Sequence, residues 1–451
     1  MNKQSSIVVS SISDDPRSRA PVIDRQFGLL SDEDPIPKIE EAKASIALDN
    51  MRGVVILFVV AFHSAMAYLG FLSSSAFSFD QPPYSWRAFP MIDSHRWFGL
   101  DIFCAWQDVY LMSLFFFLSA LFTWPSLARK GSRKFLGDRL LRLGVPYIFG
   151  LVVVMPLALY PVYRLGAADP DVITYGQRYL ALPFWPDGPM WFLWQLLALT
   201  LVVAGLQRCA PRIVSFLAGL SSRAKARPGR YLIGLATVCA LAYVPLALAF
   251  TPFQWADYGP FSMQLSRPLL YAVYYFAGLG IGASGLERGL LASEGMLARR
   301  WSVWLMCALG SFLAWMGFSA LAMTYATQWL LQLGADISFA VAGASGCLFM
   351  TAVFLRFGAK RSRPFGYLSR NAFGLYIFHY IFVVWLQYSL LGLALFALVK
   401  ASIVFGGSVV LALAATSLLR WSGFGSLLIG ERPQAFWPLK GKSSLEASQT
   451  P

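Results

Sequence analysis

Apolar stretches, separated by short polar or Pro- and aromatic-rich segments, recur along nearly the whole chain of 451 residues. A helix that crosses the roughly 30 Å hydrocarbon core of a bilayer needs about 20 mostly apolar residues. By that measure the sequence predicts about ten spans. They lie near 53–75, 102–124, 145–163, 190–207, 231–251, 269–286, 302–323, 335–356, 372–395 and 401–419, the eighth with Asp336 near its start. With no water to satisfy exposed backbone, such runs must be helical. The expected fold class is all-α, a polytopic membrane protein.

The polar connections support the same division. Arg129, Lys130, Arg133, Lys134, Arg139 and Arg142 follow the second run, and Arg208, Arg212, Arg223, Lys225, Arg227 and Arg230 follow the fourth. Arg288, Arg299 and Arg300 follow the sixth, and Arg356, Lys360, Arg361, Arg363 and Arg370 the eighth. The alternate connections are poorer: Arg87 and Arg96, then Arg164 and Arg178, then Arg267, then none, then Lys400. Under the positive-inside rule this alternation puts both termini in the cytoplasm and requires an even number of spans. The outward segments, such as FDQPPYSWRAFPMIDSHRWFG and LALPFWPDGPMWF, carry the Tyr and Trp of an interfacial belt.

Composition adds to this picture. Only 13% of residues are charged, about half the share in soluble domains. The net charge of +14 sits in clusters between apolar runs, so it orients the chain in a bilayer rather than marking a nucleic-acid surface. Cys104, Cys209, Cys239, Cys307 and Cys347 are widely spaced, odd in number and form no CxxC. Neither a zinc site nor a disulfide framework is indicated, and no bound metal is expected. Residues 1–45, with Asp14, Asp15, Arg17 and Arg19, read as a flexible cytoplasmic tail, 46–420 as the membrane domain, and 421–451 as a short cytoplasmic tail.

Candidate chemistry lies inside the runs. Arg52 and His63 stand eleven residues apart in RGVVILFVVAFHSAMAYLG, close to three helical turns and about 16 Å. They share one helix face, with Arg52 at the cytoplasmic edge and His63 near mid-membrane. Ionisable groups inside a span are costly and usually functional, and imidazole is the side chain best suited to take a proton near neutral pH. The chain has three histidines. His379 also lies within an apolar run, and His95 in the first outward loop. Arg139 and Arg142, just before the third run, can present guanidinium groups to a phosphate. Walker A, dinucleotide-binding, HExxH and GxSxG signatures are absent. A proton-coupled secondary transporter using these histidines is the alternative to an enzyme.

The stretch ALDNMRGVVILFVVAFH, with Asp49, Arg52 and His63, resembles the opening of the acyltransferase-3 family of integral membrane O-acyltransferases. SLFFFLSALF, RKFLGDRLLRLGVPY, MWFLWQLLA and SRNAFGLYIFHY resemble its later segments, so the likeness spans roughly 48–395. MSLFFFLSALF and RLLRLGVP stand nearest its glucan-modifying branch. The chain departs from the family at Ser119-Ala120, where Ser-Gly is frequent, and at Pro189-Met190, where a His is frequent. The resemblance implies transfer of an acyl group from cytoplasmic acyl-CoA (acetyl-CoA or succinyl-CoA), a co-substrate rather than a bound cofactor, to a carbohydrate or glycan hydroxyl. It implies a multi-pass protein of the inner cell membrane. His63 and Arg52 would be catalytic, with Arg133, Arg139 and Arg142 on the donor. Asp49, Ser119, Trp191, Tyr376 and His379 would serve the acceptor side or support the site.

Overall fold

The computed structural model describes residues 38–73, 78–167, 170–252, 254–287, 289–325 and 327–431. The expected tails therefore lie largely outside the described residues. The first helix, α1 (Lys38–Ala65), starts within the segment expected as tail. It is followed by α2 (Phe98–Leu121), α3 (Thr123–Lys130) and α4 (Ser132–Arg139). A continuous path then runs through a π segment (Leu140–Gly144), α5 (Val145–Phe149), a second π segment (Gly150–Val154) and α6 (Met155–Gly166). Next come α7 (Val172–Leu180), α8 (Trp191–Cys209), α9 (Pro211–Ala224) and α10 (Pro228–Phe250). An antiparallel hairpin, β1 (Trp255–Tyr258) with β2 (Phe261–Gln264), precedes α11 (Pro268–Ser284). The rest is α12 (Met296–Arg299), α13 (Trp301–Thr324), α14 (Trp329–Phe357), α15 (Arg363–Leu390), α16 (Ala397–Arg420) and α17 (Gly423–Leu428).

Among the described residues, 9 helical stretches are long and apolar enough to cross a membrane. The one remaining expected run, the sixth, is α11, an apolar helix of 17 residues. Each run in the sequence falls on one of these helices, and the protein is an all-α integral multi-pass membrane protein. The third stretch begins at Ser132, well before the expected start at 145. Arg139 and Arg142 are thus part of the helical path, since RKFLGDRLLR is built of good helix formers with apolar Phe135, Leu136 and Leu140. Each π segment runs into a proline two residues beyond its end, Pro146 and Pro156. Proline supplies no N–H to the preceding turn, and a widened turn is one way a helix absorbs that loss.

Helix α1 packs on α15, α2, α16 and α14. At Gly53 an added Cβ would lie 3.1 Å from Leu368 Cγ and 3.2 Å from Ser369 N, so the α1–α15 crossing is close. Helices α11 and α2 approach through Gly278 and Gly282, whose added Cβ atoms would strike the Phe117 and Leu121 carbonyls. Small residues four apart permit such contact where no water drives association. By contrast, only 11% of the α13 span is buried, which leaves that helix on the periphery.

The cations of the sparsely charged loops are largely paired. Arg87 makes a two-pronged bond to Asp257, Arg267 to Asp108, Arg178 lies 3.5 Å from Asp80, and Lys400 meets Asp93 at 2.7 Å. These pairs deepen the charge contrast between the two faces. Both members of Lys400–Asp93 are fully buried, and Asp93 N also donates to Ala67 O, so the pair pins the α1–α2 connection to α16. Lys400→Met is expected to destabilise the protein by about 3–5 kcal/mol, because it strands a buried carboxylate. A thermal melt in detergent reads the loss. Adding Asp93→Asn should recover much of it, whereas additive losses would show that the pair is not coupled.

Candidate active site

His63 occupies the last turn of α1, where the final carbonyls lack intrahelical partners. The buried Gln387 amide on α15 caps them, donating to His63 O at 2.9 Å and Ser64 O at 3.3 Å. This bond fixes the end of α1 against α15 and brings two imidazoles together. His63 Nδ1 stands 3.2 Å from His379 Nε2, with ring centroids 5.1 Å apart. His63 lies toward the C-terminal end of the apolar stretch Lys43–Tyr68.

The partners assign the tautomers. His379 Nδ1 is 2.6 Å from Tyr376 O, a pure acceptor, so it carries the hydrogen and leaves Nε2 as an acceptor. His63 Nδ1 is 3.0 Å from Val59 O and faces that His379 nitrogen, so it too bears its hydrogen. The consequence is that the His63 Nε2 lone pair is unclaimed by these bonds. His379 is fully buried, whereas His63 keeps part of its surface open. One imidazole is thus reachable and the other supports it from behind. Tyr380 meets His63 edge-on at 5.4 Å.

A turn before α8 closes over the pair. Tyr376 donates its hydroxyl to Pro189 O, and Gly188, at φ +45°, has its Cα against Met155 and Tyr380 where a Cβ would collide. The preceding Asp187, only 4% exposed, accepts from the hydroxyl of Ser262 on β2 and, at 3.4 Å, from its amide. Burial pushes this carboxyl up to about 7, with the Ser262 bonds opposing the shift. Trp194 Nε1 donates to Ser262 O at 3.1 Å, and Tyr147 bonds Pro260 O.

On the basic face, a cavity of about 370 Å³ is lined by Phe122, Pro125, Ser126, Arg129, Lys130, Phe135, Asp138, Arg139 and Arg142. That is within the usual size for small-molecule sites. Four cations face one carboxylate there, and Lys130 pairs with Asp138 at 2.6 Å. Arg139 lies over the Phe135 ring and 3.5 Å from Thr123 Oγ1. Arg52 stacks over Phe122, a wall of the cavity, and meets Asp49 at 3.3 Å. Arg52, Arg139 and Arg142 are close enough to repel one another.

Of the residues singled out by sequence, His63 and His379 meet directly, Tyr376 braces them, and Arg139 and Arg142 line the cavity beside Arg52 and Asp49. Arg133 is exposed and is not among the lining residues. Ser119 offers its carbonyl to Thr123 at 3.1 Å. Trp191 stacks on Tyr271 at 5.5 Å and meets Trp255 of β1 at 6.1 Å. His95 lies apart, half-exposed beside Asp93. Sequence reasoning missed Gln387 and Asp187, and read Arg129 and Lys130 only as orienting charges.

Neither the curated proteins nor the solved structures that were compared contain a significant match to this chain. A family model described as an acyltransferase domain matches residues 45–421, a segment that contains both imidazoles, the Asp187 turn and the basic cavity. The chain belongs to the acyltransferase-3 family and is a membrane acyltransferase.

Proposed function

We propose that the protein moves an acyl group from cytoplasmic acyl-CoA, acetyl-CoA or succinyl-CoA, to a hydroxyl of a carbohydrate or glycan, and that it resides in the inner cell membrane. The observation that carries this reading is the 3.2 Å His63–His379 contact, which leaves one imidazole nitrogen free at a partly open position. The CoA phosphates suit the four-cation cavity by charge and size, and both tautomers follow from bonds to backbone carbonyls. Arg52 stands between, about 16 Å along α1 from His63, a separation that the pantetheine arm can bridge.

In the reaction, His63 Nε2 takes the proton of the acceptor hydroxyl as its oxygen attacks the thioester carbonyl. Collapse of the tetrahedral adduct breaks the C–S bond, and the proton passes from His63 to the departing thiolate, giving the ester and free CoA. His379 accepts the His63 Nδ1 hydrogen bond throughout, which holds the ring and favours its transient positive charge, the role of the orienting group in triad-type sites. Family membership favours this enzyme over the proton-coupled transporter that the same histidines suggested.

The test incubates membranes containing the wild-type chain with radiolabelled acetyl-CoA or succinyl-CoA and a panel of oligosaccharides and glucans. Ester-linked, alkali-labile label on a glycan is expected. Proton-coupled solute uptake with no acyl transfer from either donor would overturn the reading.

A further inference from the structure

The hairpin β1–β2 and the Asp187 turn form a second structure outside the reacting groups, and an unbroken set of contacts links them to the imidazoles. Ser262 of β2 donates to Asp187 through its hydroxyl and its amide. Two residues on, Pro189 O receives the Tyr376 hydroxyl. Tyr376 O in turn holds His379 Nδ1–H, and His379 Nε2 faces His63 Nδ1. The turn itself has little room to shift, since Gly188 has a left-handed backbone and is packed against Met155 and Tyr380. The hairpin's other strand is held at Asp257, the cross-strand neighbour of Ser262, by the Arg87–Asp257 pair, with bonds of 2.9 and 2.7 Å.

We propose that Asp187 is a positioning residue for acyl transfer: by seating the hairpin through Ser262 it fixes the 187–189 turn, and through Tyr376 and Tyr380 that turn sets the orientation of the His63–His379 pair. The proposal rests on the reading of His63 as the base. Asp187 bonds Ser262 and, among the described residues, neither imidazole, and it takes no proton in the reaction; its carboxylate serves as the acceptor for Ser262. An amide oxygen at this position can accept the same hydroxyl hydrogen, so charge is dispensable and the hydrogen bond is not. A displaced turn would release the Tyr376 hydroxyl and the Tyr380 ring, which adjoins Gly188 and meets His63 edge-on at 5.4 Å, so the two imidazoles would lose their lateral packing. The tautomers would stand, since His379 Nδ1 is held by Tyr376 O and His63 Nδ1 by Val59 O, each within its own helix, but the aim of His63 Nε2 would not.

The chain holds only three histidines, so isotope-labelled histidine in the full-length protein in lipid nanodiscs gives few imidazole nitrogen signals. The wild type is expected to show Nδ1–H tautomers at His63 and His379. Asp187→Ala and Ser262→Ala should keep those tautomers but shift and broaden both signals as the rings reorient, with His95 unchanged, and Asp187→Asn should keep the wild-type pattern. In transfer assays with radiolabelled acetyl-CoA and succinyl-CoA, the two alanine variants should lose about 10- to 100-fold in kcat through misplacement of the base. Donor KM should hold, and Asp187→Asn should recover most of the rate.

Wild-type imidazole signals and rate in the alanine variants would overturn the proposal. So would an Asp187→Asn protein as slow as Asp187→Ala with unperturbed imidazoles, because the carboxylate charge would then be acting directly. If Asp187→Ala does not fold, Ser262→Ala alone decides, since it keeps the carboxylate and removes only one of its donors. Imidazole signals that move as expected in a chain that transfers no acyl group would uphold the coupling and sink the functional reading instead.

Discussion

Membranes carrying His63→Ala are expected to transfer acyl groups about 10²–10⁴-fold more slowly than wild type, the usual worth of a positioned general base. Donor KM should change little, because Arg52, which adjoins the basic cavity, already lies about three helical turns from His63 along α1. His379→Ala should retain more activity than His63→Ala, since it removes the group that orients the base and leaves the base itself. The double variant should be no slower than His63→Ala, as expected for residues acting as one unit. Initial rates at saturating donor, corrected for folded protein by size-exclusion chromatography, decide the matter. Equal rates for wild type and His63→Ala would remove His63 as the base, and a double variant slower by the product of the single losses would separate the two imidazoles.

The first half of this site was legible in the chain because helix periodicity is local. Arg52 and His63 share a face by spacing alone, and a histidine in a membrane run stands out against a background of Val, Ile and Phe. Its partner was not legible as a partner: His379 is 316 positions away, and no periodicity within one run specifies which helices cross or at what register. The run at 372–395 marked His379 as intramembrane, but the true helix starts at Arg363, where Ser362 caps it by accepting from Phe365 N at 3.4 Å. Gln387 was invisible for the same reason, since its value lies in the α1 carbonyls it caps.

The hairpin was missed on different grounds. WADYGPFSMQ offers two strands of four residues around Gly-Pro, too short for a convincing alternation and sited where an outward loop was expected. Asp187 sits in PFWPDGPMW, which reads as a Pro- and Trp-rich interfacial loop; its importance comes from Ser262, a contact across 75 positions. On the basic face the error ran the other way. Arg129 and Lys130 looked like orienting charges, and the helical path from Ser132 turns that stretch back so that they join Arg139 and Arg142 around one cavity.

That gathering of cations leads to the second large effect. Arg139→Gln with Arg142→Gln is expected to raise donor KM by about 10²–10⁴-fold, taking about 1.5–3 kcal/mol for each lost charged hydrogen bond to phosphate. kcat at saturating donor should be nearly preserved, because among the described residues the imidazoles meet each other, Val59, Tyr376, Tyr380 and Phe62 rather than either arginine. The same variant should melt at a higher temperature than wild type when no donor is present, since Arg52, Arg139 and Arg142 repel one another. Added acyl-CoA should raise the wild-type melting temperature and leave that of the variant nearly fixed. The opposed signs are what make the test specific: arginines that merely orient the chain or brace the fold would lower stability when replaced and leave donor KM alone. Arg133→Gln provides the matched control, an exposed cation on the same helix as Arg139 that does not line the cavity. A donor KM raised equally by Arg133→Gln would mean that the whole basic face attracts CoA by its field, and not that the cavity binds it.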